Sequence, residues 1–98
     1  MLEEKMSTLN SFVVTTKHHA REFNVDLNGI YVTQNYFADK LNEVDFIVIS
    51  ETVLKPEVKV EFELLLGSKF LPYTVKYMTN SEFINSGLNN ICTTVWHS

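Results

Sequence analysis

The run Val44-Asp-Phe-Ile-Val-Ile49 constrains this chain more than any other stretch, because five of its six residues are apolar and only Asp45 is not. Side chains of a strand alternate between two faces, so a strand without a polar alternate has no face to give to water. The run therefore predicts a central strand covered on both sides. In a chain of 98 residues one such sheet accounts for the whole domain, since a second core has no room.

The layers that cover it are legible on either side. Leu2, Met6, Leu9, Val13, Thr16, Ala20 and Phe23 follow one another at steps of four and three, with Phe12 widening the stripe, which predicts one long amphipathic helix over 2–23. Glu3, Glu4, Lys5, Asn10, Lys17 and Arg21 form its wet side. Leu2 and Met6 run past a core too small to cover them, and an exposed apolar end of that kind invites a twofold partner, so a homodimer is expected. Asn24 and Asp26 to Gly29 supply a turn into a strand at Ile30 to Thr33, and Asn35 to Asn42 is a short connection to the central strand.

Pro56 is a favourable first helical residue, and Val58, Phe62, Leu65 and Leu66 make one face of a helix predicted to stop at Gly67. Tyr73 to Met78 alternates Tyr73, Val75 and Tyr77 with Thr74, Lys76 and Met78, which predicts a strand with one partly wet side. Thr79-Asn-Ser-Glu82 reads as a capping box that opens a short helix through Leu88, with Phe83, Ile84 and Leu88 inward. Ile91 to Trp96 is the last strand. The fold class that follows is α/β (α+β), a single mixed sheet of about four strands with helices mainly on one face and the order α-β-β-α-β-α-β.

Charge and composition remove several functions. Twelve acidic against eight basic residues leave a net charge of −4, and the lysines and arginines are scattered, which is the wrong balance for a nucleic-acid partner. One cysteine, Cys92, excludes an internal disulfide and reads as a strand residue. No window approaches the apolar length of a membrane span and the start Met-Leu-Glu-Glu-Lys lacks a leader pattern, so no membrane partner and a cytoplasmic location are expected. Three glycines form no phosphate loop, dinucleotide fingerprint or nucleophile elbow. His18 and His19 are neighbours on the first helix, pointing about 100° apart, and are expected not to share a metal.

What chemistry remains lies beside the central strand. Glu43 and Asp45, two residues apart on one strand, would face the same side and could share a divalent cation, as carboxylates do in nucleotidyl transfer. The other reading of the pair is an ordinary solvated strand end. The element order, Gly29-Ile-Tyr-Val-Thr33, Val44-Asp-Phe-Ile-Val-Ile49, and Leu64-Leu-Leu-Gly67 leading to a strand that ends Tyr-Met-Thr79 together resemble the small nucleotidyltransferase-like proteins of the DNA-polymerase-beta superfamily. The likeness covers residues 8–98.

The resemblance implies Glu43 and Asp45 as the metal candidates, for Mg²⁺, and Thr33, Gln34 and Asn35 as the nucleotide-binding candidates. It also implies a damaged site. The family carries Gly-Ser where Gln34 and Asn35 stand here, so side chains occupy the place where phosphates approach backbone. The family's third carboxylate would fall near Thr74. Two functions follow: a non-catalytic module that binds another protein (an antitoxin, a regulatory subunit or a small phage-type inhibitor), with residual nucleotide affinity, or an active Mg²⁺-dependent nucleotidyltransferase acting on a protein or small hydroxyl acceptor.

Overall fold

The structure, a computed structural model, describes residues 2–38 and 44–98, with the backbone alone at Leu2. Helix α1 (Leu2–Glu22) leads to β1 (Leu27–Thr33), a five-residue helix α2 (Gln34–Ala38), β2 (Phe46–Ser50), α3 (Pro56–Lys69), β3 (Val75–Thr79), α4 (Asn80–Ser86), a 3₁₀ turn (Leu88–Asn90) and β4 (Cys92–His97). The four strands make one mixed sheet in the order β3-β2-β1-β4. β1 runs antiparallel to β2 and β4, whereas β2 and β3 are parallel. The short connection expected after β1 begins with a helical turn, because Tyr36 is drawn fully into the core.

β2 is interior, and all five of its residues are buried, as its unbroken apolar run requires. Alternation sends Phe46 and Val48 to one face with Ile30 and Val32 of β1, where Leu9, Phe12 and Ala20 of α1 and Phe62 and Leu66 of α3 cover them. Ile47 and Ile49 go to the other face, where Met78 and Phe83 meet them and Tyr31, Leu88 and Cys92 complete a smaller cluster. The second face is thus covered by α4 and the 3₁₀ turn alone among the described helices, which is the one-sided layering expected. Val13 and Phe23 pack against the larger cluster, and Met6 is exposed at the end of α1.

Three local expectations are corrected. α3 passes through Gly67 to Lys69, since Phe70 is buried against Phe12 in an edge-to-face contact at 5.0 Å and draws the last turn with it. Burial of a phenylalanine outweighs the roughly 1 kcal/mol that a helical glycine costs. Ile84 faces solvent, because in a helix of two turns the Phe83 face alone reaches the sheet. β3 begins at Val75 and not at Tyr73, for a reason that lies in the candidate site.

Thr79 caps α4 as predicted: its hydroxyl accepts from the Glu82 N–H while the Glu82 carboxylate accepts from the Thr79 N–H. Gly87 ends that helix at φ 78°, a left-handed conformation that glycine adopts without a Cβ penalty. At Gly29 the constraint is space, since a Cβ would come within 2.9 Å of the Tyr31 ring and 3.3 Å of the Trp96 carbonyl oxygen.

Candidate functional site

The C-terminal end of β1 and the N-terminal approaches to β2 and β3 meet at one edge of the sheet, and there the structure assembles Thr33, Asp45 and Thr74. Asp45 sits one residue before β2, with its backbone paired on both sides: its carbonyl accepts from the Thr33 N–H at 3.0 Å and its N–H donates to the Thr74 carbonyl at 3.2 Å. The Asp45 residue is 5% exposed. Its Oδ2 accepts from the Thr74 N–H at 3.0 Å and from the Thr74 hydroxyl at 3.3 Å.

This arrangement explains the late start of β3. The Thr74 N–H, which a strand would spend on the ladder, is spent on the Asp45 side chain, and the ladder closes only from Val75, opposite Phe46. Sequence periodicity does not see this, because the pattern of Tyr73 and Thr74 is that of a strand while a side chain has taken the backbone's place.

Thr33 is buried and its hydroxyl donates to the Val44 carbonyl at 2.6 Å. Gln34 opens α2 with an exposed side chain, and Asn35 is half-buried. Glu43, the partner that sequence spacing gives to Asp45, lies outside the described residues. Thr33, Asn35 and Asp45 therefore stand on adjoining segments, Thr33 and Asp45 with polar atoms already engaged inside the fold.

Beneath the site lies a base of rings. Phe46 stacks on Phe12 at 4.2 Å and meets Tyr36 at 5.0 Å, and Tyr36 meets Tyr73 at 4.8 Å. Lys5 of α1 donates to the Tyr36 carbonyl at 2.6 Å, the Tyr36 hydroxyl donates back to the Lys5 carbonyl at 2.7 Å, and the Lys5 ammonium lies 4.5 Å from the Tyr36 ring centroid. This clasp ties α2 to the first helix. A helix-surface lysine in the sequence gives no hint of it, because the partner is 31 residues away.

A hard divalent cation takes several oxygen ligands in an open arrangement. Among the described residues the site offers one carboxylate, with one oxygen accepting two hydrogen bonds and a threonine beside it. Those described donors alone are fewer than a bound Mg²⁺ takes.

A second gathering of ligating groups lies at the other end of α1, where sequence reasoning expected none. His18, His19 and Glu22 each bring a ligating atom within 4.8 Å of the others. His18 Nε2 is 3.4 Å from Glu22 Oε1 and His19 Nδ1 is 2.9 Å from the same oxygen. The rings point apart at the backbone, as 100° of helical rotation dictates, but Glu22 is four residues from one and three from the other, within reach of both. The spacing His-His-x-x-Glu was the available signal.

Compared with protein-family models, with curated proteins and with solved structures, the chain matches none. No helix among the described residues is long and apolar enough to cross a membrane.

Proposed function

We propose that this protein is a non-catalytic protein-binding module built on a degenerate nucleotidyltransferase-like fold. The observation that carries the reading is the use to which Asp45 is put. A carboxylate that serves phosphoryl transfer has to present its oxygens to a metal, whereas Asp45 is buried and staples β2 to the residue before β3. The residue that holds it is Thr74, the position at which the resemblance would put a third acid. Thr33, at the phosphate-approaching end of β1, also turns its hydroxyl inward.

Binding of a protein suits the remaining surface. Val60 and Leu64, one turn apart on α3, are 52% and 63% exposed, and Leu71 just beyond the helix is exposed as well. Among the described strands β4 lies at an edge of the sheet, paired only with β1. A cytoplasmic location, and pairing with a second copy through the exposed Met6 end of α1, belong to the same proposal.

The test is capture from an extract of the host with the wild-type chain and with Val60→Asp/Leu64→Asp as bait. The expected result is one stoichiometric partner, retained by the wild type and lost by the variant. Transfer of a labelled nucleotide to any captured protein would overturn the reading and install the Mg²⁺-dependent transferase in its place.

A further inference from the structure

We infer that His18, His19 and Glu22 form a binding site for a divalent transition-metal ion of the zinc class at the C-terminal end of α1. The site is independent of the strand-end constellation and of any function proposed for it.

Geometry makes the first argument. Ligands at 2.0–2.1 Å from a tetrahedral zinc ion stand about 3.4 Å from one another. The nitrogen-to-oxygen separation is 3.4 Å for His18 Nε2, equal to that spacing, and 2.9 Å for His19 Nδ1, about half an ångström under it, and the whole set lies within 4.8 Å. A small rotation of the exposed His18 and Glu22 side chains is enough to admit an ion between the three atoms. The arrangement is also partly pre-set, because His19 is only 16% exposed at its side chain and already rests on Glu22.

Ligand chemistry makes the second. Two imidazoles and one carboxylate suit zinc, copper or nickel and not magnesium or calcium, which take oxygen. Three protein ligands leave a fourth position to solvent or to a group from another molecule. The helix adds a modest favourable field: His19 and Glu22 lie in the last turn of α1, at the negative end of its dipole, although the His19, Ala20 and Arg21 carbonyls already accept from the Phe23, Val25 and Asn24 N–H groups. A cation is stabilised there, and the ion would tie down the turn that precedes Asn24.

His19 Nδ1 is at hydrogen-bond distance from Glu22 Oε1, and His18 Nε2 stands 3.4 Å from the same oxygen. The shorter contact needs a proton on the nitrogen, or a cation in its place. The metal would satisfy all three groups at once.

The experiment uses the intact chain. Zinc chloride is titrated calorimetrically into the wild type, His18→Ala, His19→Gln, Glu22→Gln and, as a control, His97→Ala, with circular dichroism to confirm that each is folded. Cobalt substitution supplies a spectroscopic readout. The expected result is one equivalent bound by the wild type, with a visible cobalt absorption band. Affinity should fall about tenfold or more in each of the three site variants, since removal even of outer-shell groups commonly costs 10–100-fold. His97→Ala should bind as the wild type does. Absence of binding by the folded wild type at millimolar zinc would overturn the proposal, as would binding that survives in all three site variants or is lost in His97→Ala.

Discussion

The two ends of α1 look onto two groupings of ligating side chains that the fold treats in opposite ways. At the strand end, beneath which the start of α1 packs, Asp45 is buried and its oxygen is consumed by Thr74. At the helix end, His18, His19 and Glu22 converge on the surface with no tie to the rest of the fold among their described polar contacts. Residue type alone would have ranked them the other way, since an acid beside a central strand reads as chemistry and adjacent histidines on a helix read as solvated. What decides availability is whether the backbone has already claimed the group.

The contrast can be broken first through the strand that carries Asp45. Ile47 is fully buried against Ile49, Met78 and Phe83 on the thinly covered face. Ile47→Ala should cost ~2–5 kcal/mol, a large share of a small domain's stability, read as a lower denaturant midpoint. A loss under ~1 kcal/mol would mean that this face does not anchor the strand.

Next in size is the staple itself. Asp45→Ala should cost about 1–2 kcal/mol, below the ~1.5–3 usual for hydrogen bonds to a charged group, because Thr74 is exposed and can turn to water. Amide exchange at Thr74 should accelerate in the same variant. An unchanged exchange rate would show that Asp45 holds nothing and is free for other work.

A buried hydroxyl sharpens the comparison from within the sheet. The Tyr77 hydroxyl is buried with no hydrogen-bond partner among the described residues, and burial first, then the nearby Glu63 carboxylate, push its ionisation well above the usual phenol range. The folded state therefore keeps a neutral phenol where the unfolded chain ionises at about pH 10. Stability from this shift is full below that pH and is lost as pH rises beyond it toward the folded value. Tyr77→Phe should leave neutral-pH stability unchanged or raise it by up to ~1 kcal/mol, and thermal melts above pH ~10 should fall less steeply than for the wild type. Equal slopes would contradict the account.

The smallest effect belongs to the helix end. Without metal, Glu22→Gln should change stability by no more than ~0.5 kcal/mol, as exposed pairs of this kind contribute little. A larger loss in metal-free buffer would make the cluster a structural element.

The order of the sheet's strands along the chain, both long helices, the Thr79 cap and the interior position of β2 were legible because each follows from a period or a cap that neighbours cannot hide. The end of α3 beyond Gly67 and the outward side of Ile84 follow from no local period, since they are settled by where Phe70 and Phe83 find a core. Asp45 was legible as a candidate and not as a staple. Its partner, Thr74, is 29 residues away, and no local pattern announces a side chain that replaces a ladder hydrogen bond. The Lys5–Tyr36 clasp leaves no local pattern for the same reason.

Whether Asp45 is a staple or a catalytic acid is tested most directly by incubating the purified chain with Mg²⁺ or Mn²⁺ and each labelled nucleoside triphosphate, alone and with host extract, beside Asp45→Asn. Asparagine keeps an oxygen for Thr74, so the variant should fold, and its circular dichroism verifies this. Neither protein is expected to transfer a nucleotide. Labelling of the chain or of an acceptor by the wild type, abolished in folded Asp45→Asn, would contradict that.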